Sequence, residues 1–412
     1  MPGSNRIIKP NILMIAPEPF FESRGTPISV YQRIHALSQL GYHVDLLTYF
    51  LGKEVNIPGV RIFRTPKFPF IKEIPIGPSW KKILLDIAIF LQALVLLSKN
   101  GYQIIHSHEE ASHIALLLTA LFRIRHVYDM HSSLPIQIRQ TNYRRITPLI
   151  AYFRLVERLV INKADAVITI GADLDEYIRT IKPEVNSIII DNLPLQSISP
   201  VTQPAANYLR ELLNIDCKVP VVYTGSFERY QGIDILISSA KIILSQNPNI
   251  VFILIGGNRA QIKKYKSKVQ QEHLLNSFIF KGRVSAADSL DYINLADILV
   301  SPRISGMSVP LKIYSYLNSG KAIVATNIEA HTKILSADIA LLTEPTAAGI
   351  AEGILKIVNN PEFGKELGLQ AKLFAIEKFS YANYLAKVAE IYQTILPITG
   401  SAPLLENLTF KG

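Results

Sequence analysis

An aspartate and a histidine stand together at the end of an apolar run in "HVYDMHSSLP", where Asp129 and His131 are followed by Ser132 and Ser133. A carboxylate can hold a neighbouring histidine in one orientation, and that histidine can then position or polarise a substrate hydroxyl group. A histidine at a strand end is also a common structural hydrogen-bond partner. The adjacent serines favour the binding role, so we predict Asp129 and His131 as the catalytic pair.

A second group of titratable residues lies upstream in "IIHSHEEASHIAL" and comprises His106, His108, Glu109, Glu110 and His113. The group does not have the ligand spacing of a known metal motif. We therefore predict no metal site. We expect the histidines at the strand end to hydrogen-bond the start of the following helix.

The stretch "RGTPISVYQ" combines three residues that are typical of a helix start near a ligand. Gly25 lets the backbone approach a bound group, Thr26 is a good N-cap, and Pro27 suits the first helical position. The free amides of such a helix end attract anions. Capping alone explains the same residues. We predict that Gly25 and Thr26 contact a bound anion or sugar phosphate.

Two stretches in the second half are typical of phosphate-binding turns. In "YTGSFERYQGIDILISSA" an apolar run leads into Gly225, and Gly232 precedes a helix. In "SPRISGMSVPLKIYSYLNSGKAIVAT" Gly306 precedes a helix with Lys312 in its first turns. Helix-start amides and a lysine together can bind a diphosphate. The alternative is an ordinary connection that ends in the C-cap glycine Gly320.

These stretches must be positioned by the elements around them. Apolar, β-branched runs alternate with helical patterns throughout the chain, which predicts parallel sheets covered on both faces. The alternation is interrupted at "DNLPLQSISPVTQPAANY", which is typical of a linker. We predict an N-terminal Rossmann-like domain over 1–196, a linker and connecting helix over 197–218, a C-terminal Rossmann-like domain over 219–380, and a helix that can cross back to the first domain, plus a tail, over 381–412.

Composition narrows the class of protein. The chain has 412 residues, of which 49% are hydrophobic and 18% are charged, so it is globular. The single cysteine, Cys217, excludes an internal disulfide framework and favours the cytoplasm. The longest apolar run, 83–97, is too short for a membrane span and is interrupted by Asp86 and Gln92.

The net charge of +10 predicts an acidic partner. Six basic residues against one acid lie in 61–82, interleaved with aromatic residues, and a second basic run covers 139–163. No nucleic-acid-binding motif accompanies these runs, so we predict no nucleic-acid partner. The run 61–82 is either a solvated face or a contact with anionic lipid, and we expect peripheral association with the inner face of the cell membrane.

The ordered succession of these stretches resembles the retaining glycosyltransferases of family 4, over nearly the whole chain. The loop at Gly25 and Thr26, "IIHSH", "HVYDMHSS" and "YTGSFERYQGIDILISSA" occur in the family's order, followed by "VFILIGG", "FIFKGRV", "LADILVSPR" and "PLKIYSYLNSGKAIVAT". The resemblance implies the α/β GT-B fold, in which two doubly wound Rossmann-like domains face each other across an interdomain cleft.

The resemblance also implies a function. A nucleotide-diphosphate sugar binds mainly to the second domain and the acceptor to the first, and a hexose-type sugar is transferred with retention of configuration and without a metal or other cofactor. We expect the acceptor to be a lipid-linked or cell-envelope glycan. A nucleotide-sugar epimerase or hydrolase on the same fold, or a non-catalytic sugar-nucleotide-binding partner, are the alternatives.

Four side chains that are usual in the family are absent. Ser226 stands at the position of its phosphate-binding arginine and Gln231 at that of its lysine. Met307 and Ser315 fall at the positions of its two glutamates, which contact the donor sugar and the ribose. The glycine turns and helix starts remain, so the resemblance implies a donor site whose charge has moved to other residues.

Arg229 and Lys312 lie in the two donor loops, and we predict that they replace the missing cations. The predicted donor-binding residues are Gly25, Thr26, Gly225, Ser226, Arg229, Gln231, Gly256, Arg283, Val284, Gly306, Met307, Ser308, Val309, Pro310, Leu311, Lys312 and Ser315.

Overall fold

The computed structural model describes residues 10–21, 25–74, 79–139, 147–197, 204–306 and 308–396. The chain divides into two compact units. The first contains the residues up to Asp191 together with those from Ala382 onward, and the second is Asn192–Tyr381. We predicted that the first domain ends at residue 196 and that a linker and connecting helix cover 197–218. A helix, Pro204–Leu212, lies in that stretch, and it belongs to the second unit, which begins at Asn192.

A seven-stranded parallel sheet forms the centre of the first unit. Its strands are β1 (Asn11–Ala16), β2 (His43–Thr48), β3 (Val60–Arg64), β4 (Ile104–His108), β5 (Arg125–Met130), β6 (Ala166–Thr169) and β7 (Ser187–Ile189). Their order is β3-β2-β1-β4-β5-β6-β7, and every neighbouring pair is parallel. The order reverses between β1 and β4, and such a switch point is where open α/β sheets bind ligands.

The described helices of the first unit are α1 (Gly25–Gln39), α2 (Trp80–Lys99), α3 (Ala111–Phe122), α4 (Leu134–Arg139), α5 (Thr147–Lys163), α6 (Ala172–Ile181) and, from the end of the chain, α15 (Tyr381–Ile395). Helix α1 begins earlier than the sequence predicts. Thr26 therefore lies in its first turn and is not an N-cap, which corrects our prediction. Pro27 is still tolerated there, because the amides of a first turn have no partner within the helix.

A six-stranded sheet forms the centre of the second unit. Its strands are β8 (Val219–Thr224), β9 (Ile250–Ile255), β10 (Phe278–Gly282), β11 (Ile298–Ser301), β12 (Ala322–Thr326) and β13 (Leu341–Thr343). They are ordered β10-β9-β8-β11-β12-β13, again with parallel neighbours. The switch point lies between β8 and β11, and the two predicted phosphate-binding stretches follow these two strands.

The described helices of the second unit are α7 (Pro204–Leu212), α8 (Ile233–Gln246), α9 (Arg259–Gln271), α10 (Ala286–Leu295), α11 (Leu311–Ser319), α12 (Glu329–Thr332), α13 (Ala347–Asn359) and α14 (Pro361–Lys378). Short 3-10 helices cover Leu195–Ser197, Arg229–Gln231 and Leu275–Ser277. Two apolar cores lie on the two faces of the sheet, since alternate residues of β9 belong to different clusters. None of the described helices combines the length and apolar character that crossing a membrane requires.

Helix α2 carries an acidic side chain on its inner side. The Tyr49 hydroxyl donates to Asp86 Oδ1 at 2.6 Å, and Tyr49 belongs to the apolar core beneath the helix. Burial is the main cause that raises the pKa of Asp86 to about 6, and the hydrogen bond from Tyr49 opposes it. The folded protein therefore favours the neutral carboxyl group.

We predict that the free energy of unfolding falls as the pH rises from about 4 to about 6. The native state holds the Asp86 proton more tightly than the unfolded chain does, so the stabilisation is present below the unfolded pKa and is lost as the pH passes the folded pKa. The loss is about 2–3 kcal/mol. Asp86→Asn should remove this part of the pH dependence, because an amide oxygen can still accept from Tyr49.

Urea unfolding of wild type and variant at about pH 4.5 and about pH 7.5 measures the effect as a double difference, in which other titrating groups cancel. Asp338→Asn, at an exposed position, is the matched control and should leave the difference unchanged. An equal pH dependence in wild type and Asp86→Asn would contradict the prediction.

Candidate functional site

The first unit brings four predicted side chains together at the carboxyl ends of two neighbouring strands. His106 and His108 lie on β4, Asp129 lies on β5, and His131 follows β5. In the parallel register His108 pairs with Asp129. Because both strands end at the same edge of the sheet, residues far apart in the chain become neighbours.

Asp129 is the centre of this group. Its side chain is 1% exposed, and Oδ2 lies 3.0 Å from Nε of Arg33, a residue of α1 that is 3% exposed. Oδ1 lies 3.1 Å from Nε2 of His131. Burial by itself would raise the pKa of Asp129, but the charge of Arg33 and the hydrogen bonds from the neighbouring histidines outweigh it and hold that pKa well below its ordinary value. Asp129 is therefore a buried carboxylate at neutral pH.

The carboxylate fixes the proton positions of two imidazoles. His131 Nε2 lies 3.1 Å from Asp129 Oδ1 and 3.1 Å from His108 Nε2. A carboxylate only accepts, so Nε2 of His131 must carry a proton, and Nε2 of His108 is then an acceptor. Burial and the nearby His131 lower the pKa of His108, which keeps that ring neutral. In neutral His131 the remaining nitrogen, Nδ1, can accept a hydrogen bond from a hydroxyl group.

Helix α15 completes this group of side chains. Nδ1 of His106 lies 2.6 Å from the Tyr392 hydroxyl, and the two rings are stacked. The guanidinium of Arg33 lies 5.2 Å from the centre of the Tyr384 ring. Our expectation that His106 and His108 would hydrogen-bond the start of the next helix is thus wrong. His106 contacts Tyr392 of α15 and Asp129, whose Oδ2 lies 3.3 Å from Nε2 of His106, and His108 contacts His131.

The serines after His131 already have acidic partners. Ser132 Oγ donates to Glu109 Oε2 at 2.9 Å, and Ser133 Oγ donates to the buried Glu157 at 3.0 Å. Burial and the neighbouring Glu110 raise the pKa of Glu109 well above its ordinary value. Both hydroxyl protons are therefore used in the folded protein, so the serines do not support a binding role here, and the catalytic role of Asp129 and His131 stays a prediction.

His108, Asp129 and His131 also offer three potential metal-ligand atoms within 4.8 Å of one another. The sequence spacing did not indicate this arrangement, because it arises from two strands. A cation would have to compete with Arg33 for Asp129 and displace the proton from Nε2 of His131. The residues thus fit a hydrogen-bonded pair better than a metal site, and the absence of a metal from the reaction stays a prediction.

In the second unit, Gly225 begins the loop after β8. Its φ is 143°, which favours glycine. A Cβ at Gly225 would lie 2.9 Å from the Tyr223 hydroxyl and 3.2 Å from Nζ of Lys312. A Cβ at Gly256 would lie only 1.9 Å from the Gly225 carbonyl oxygen. Gly225 and Gly256 therefore let the loop after β8 lie close to the end of β9 and to Lys312.

Lys312, in the first turn of α11, reaches the loop after β8. Its Nζ lies 3.8 Å from the centre of the Tyr223 ring and 3.3 Å from Gln231 Oε1. Burial, and then the charge of Arg303, lower the pKa of Lys312 well below its ordinary value. Gln231, at the position of the family's lysine, is itself buried and orients the lysine that comes from the other loop.

Arg303 is a second cation at this place, and our sequence analysis did not select it. It follows β11, its guanidinium lies 5.1 Å from the centre of the Tyr230 ring, and it donates to the carbonyl oxygens of Ser305 and Ser308 at 2.8 and 2.9 Å. A Cβ at Gly306 would lie 2.1 Å from Nη2. The available signal was an arginine two residues after a strand at the switch point.

Lys312 and Arg303 share one property. Among the described residues, neither forms an ion pair with a carboxylate. Two partly buried cations that repel each other and lack a counter-ion make a favourable site for an anion. Arg303 and Lys312 both follow β11, and Lys312 reaches the loop after β8. The strands β8 and β11 flank the switch point.

The other predicted donor-binding residues differ in their exposure and in the unit to which they belong. Arg229, Arg283 and Ser308 are exposed. Ser226, Gly306, Val309 and Leu311 are partly exposed in the two loops, whereas Pro310 is buried directly before α11 and Val284 packs on the apolar core. Gly25 and Thr26 lie at the start of α1, in the first unit, and Met307 lies outside the described residues.

Ser315 corrects our prediction of a ribose contact. Its side chain is 1% exposed, and Oγ accepts a hydrogen bond from the amide of Leu195 at 3.0 Å. Gln196 Nε2 donates to the Ser315 carbonyl oxygen at 3.1 Å. Ser315 therefore fastens the 3-10 helix Leu195–Ser197 to α11 and is not accessible to a ligand.

Models of two known families match this chain. The model described as "Glycosyltransferase Family 4" matches residues 23–191, and the model described as "Glycosyl transferases group 1" matches residues 210–374. The chain is a family 4 glycosyltransferase. Its two parallel-sheet units have the GT-B fold, as the sequence predicts.

The proteins similar to this glycosyltransferase include two synthases and a protein whose structure contains UDP-glucose. Alpha-maltose-1-phosphate synthase of Mycolicibacterium smegmatis is 25% identical over 317 residues, which cover 71% of this chain and 79% of that protein. Sucrose-phosphate synthase of Thermosynechococcus elongatus has a TM-score of 0.78 at 20% identity, covering 94% of this chain and 99% of the other. Anabaena HepE in complex with UDP-glucose has a TM-score of 0.73 at 15% identity, covering 93% and 100%.

We predict that Asp129→Asn destabilises the glycosyltransferase by about 3–5 kcal/mol, because the substitution leaves the buried Arg33 without its counter-charge. The measurement is urea unfolding at neutral pH. Glu362→Gln is the matched control: its pair with Lys365 is 81% and 72% exposed, so the expected loss is below about 1 kcal/mol. An equal, small loss in both variants would show that the Arg33 charge does not depend on Asp129.

Proposed function

We propose that this glycosyltransferase moves a hexose-type sugar from a nucleotide-diphosphate donor to a lipid-linked or cell-envelope glycan acceptor, with retention of configuration and without a metal. The observation that carries the donor part is the pair of cations without a carboxylate partner, Lys312 and Arg303, at the switch point of the second unit. The complex of HepE with UDP-glucose supports the same class of donor on the same fold.

The two cations suit the chemistry of the leaving group. When the sugar departs, negative charge develops on the diphosphate, and fixed positive groups stabilise it. A metal ion can supply such charge, and here Lys312 and Arg303 would supply it. The loop amide of Ser226 can add a hydrogen-bond donor, whereas the amide of Gly225 already donates to the Ile255 carbonyl oxygen at 3.0 Å.

The acceptor chemistry requires a group that orients a hydroxyl. We propose His131 for this positioning role, because Asp129 holds its Nε2–H and leaves Nδ1 as an acceptor. For retention, the acceptor oxygen forms the new bond to the anomeric carbon on the face from which the diphosphate leaves, and the hydroxyl proton passes to the departing phosphate oxygen. The retaining course is proposed from the family.

Lys312→Met should weaken binding of UDP by about tenfold to a hundredfold, because a charge-assisted hydrogen bond contributes about 1.5–3 kcal/mol. Methionine keeps the apolar stem over Tyr223, so the fold should be preserved. Titration calorimetry gives the dissociation constants. Lys356→Met is the control: Lys356 also lies over an aromatic ring, that of Phe363, but it is exposed on α13, and a change within about threefold is expected. Unchanged UDP binding by Lys312→Met would remove Lys312 from the donor site.

The pH dependence of UDP binding provides a second readout of Lys312. The pKa of Lys312 is lowered in the free protein, and a bound diphosphate raises it, so binding takes up a proton between the two pKa values. Affinity should fall as the pH rises through the free pKa. Calorimetry at about pH 8.5 in buffers of different ionisation enthalpy measures the proton uptake, which Lys312→Met should abolish. Equal uptake by both proteins would assign the proton to another group.

The reaction itself is tested with labelled nucleotide sugars and envelope lipids or glycans as acceptors. Transfer of label supports the proposal, a changed free donor indicates an epimerase or hydrolase, and binding without turnover indicates a non-catalytic partner. His131→Ala should lower the rate of transfer about a hundredfold or more while UDP affinity changes little. Wild-type turnover in this variant would return His131 to a structural role.

A further inference from the structure

Helix α2 exposes a line of aliphatic side chains where a surface helix usually carries polar ones. Ile83, Ile87, Leu91 and Val95 are 63%, 52%, 56% and 50% exposed, and their spacing of four residues places them along one side of the helix. A water-facing line of this kind is unusual on a helix whose opposite side is already packed on the sheet.

The line on α2 continues onto two neighbouring helices. Helix α3 packs between α2 and α5, and the ring of His113 on α3 lies 5.8 Å from that of Phe153 on α5. The exposed residues of α3 and α5 include Leu117 (63%), Leu121 (67%), Tyr152 (58%), Leu155 (59%) and Leu159 (42%). We call the exposed apolar residues of α2, α3 and α5 the outer apolar face.

The charges around the outer apolar face have one sign. On the described parts of these three helices, the exposed charged residues are Lys99, Arg154, Arg158 and Lys163. Their acidic residues point elsewhere: Asp86 accepts from Tyr49, and Glu157 is buried against Ser133 and Tyr177. Among the described residues, none of the four cations forms an ion pair. The surface is therefore apolar with a cationic border.

We propose that the outer apolar face binds the surface of a bilayer that contains anionic lipid. Apolar side chains at the level of the headgroups and acyl chains, with lysines and arginines beside them, are what such a surface recognises. A second copy of this chain is a poorer occupant. A two-fold contact through the same face would bring the arginines of both copies together, which electrostatic repulsion opposes.

This surface differs from the one that the sequence suggested. In the basic run 61–82, Arg61 donates to Asp45 at 2.7 Å, and Arg64 donates to Glu54 and three backbone carbonyl groups. Phe63 and Phe68 pack against the core of the first unit. From that run, the exposed aromatic residues are Phe70 and Trp80, 56% and 62% exposed and stacked on each other at the start of α2. The inference does not depend on the donor site of the second unit.

The test is flotation with vesicles of phosphatidylcholine alone and of phosphatidylcholine with phosphatidylglycerol, at low and high salt. We expect binding to the anionic vesicles that weakens with salt. The protein has one tryptophan, Trp80, at the edge of the face. Its fluorescence should shift to the blue on binding and be quenched by brominated acyl chains. No flotation at low salt, or equal binding to both kinds of vesicle, would overturn the proposal.

Paired substitutions locate the surface. Ile87→Glu with Leu91→Glu should abolish flotation, whereas Leu369→Glu with Leu373→Glu, at positions 55% and 52% exposed on α14, should not. Arg154→Gln with Arg158→Gln should lower the partition coefficient about 25-fold, about fivefold for each cation. Lys263→Gln with Lys266→Gln removes the same charge from exposed positions on α9 and should have no such effect. Equal losses in both members of a pair would overturn the assignment.

Two further measurements make these outcomes decisive. Circular dichroism and urea unfolding of each variant report whether it is folded. Sedimentation velocity without vesicles tests the rival occupant. A dimer in the wild type that Ile87→Glu with Leu91→Glu dissociates would identify a second copy, not lipid, as the partner of this face.

Discussion

The buried charge of Asp129 constrains the whole first unit. A carboxylate that is 1% exposed needs a counter-charge and hydrogen-bond donors, and these come from α1, through Arg33, and from His131 after β5. The same charge determines which nitrogen of His131 carries the proton. The orientation of the proposed acceptor-positioning histidine is therefore a consequence of how α1 and two strands pack, and not of local sequence alone.

Both units carry polar groups at the carboxyl ends of their parallel strands, but the charges of these groups are balanced differently. In the first unit the groups lie at the carboxyl ends of β4 and β5, and in the second they follow β11, one of the two strands that flank its switch point. In the first unit Arg33 balances the charge of Asp129. In the second unit Lys312 and Arg303 form no ion pair with a carboxylate among the described residues. This contrast supports the proposal of a hydroxyl acceptor at one unit and a phosphate-bearing donor at the other.

The alternation of apolar runs with helical patterns predicted both parallel sheets, because buried parallel strands are short, nearly continuous apolar runs. The sequence also selected Lys312, whose place in a helix start is a local feature. Arg303 was missed because its position depends on how its loop folds around the guanidinium. Ser315 was misassigned for a similar reason: its partner, Leu195, lies 120 positions away. The contact of His106 with Tyr392 spans 286 positions, and no local pattern encodes it.

The placement of α15 in the first unit has a consequence for the order of events during synthesis. The second unit is one uninterrupted segment, Asn192–Tyr381, so all its residues can leave the ribosome and fold while later codons are still being read. The first unit cannot be complete until α15 has been synthesised. Tyr384 and Tyr392 are translated after every strand of both sheets, yet they close the space beneath Arg33 and His106. The unit that begins the polypeptide is thus the last to acquire its finished interior, and until then its buried ion pair stays open to water.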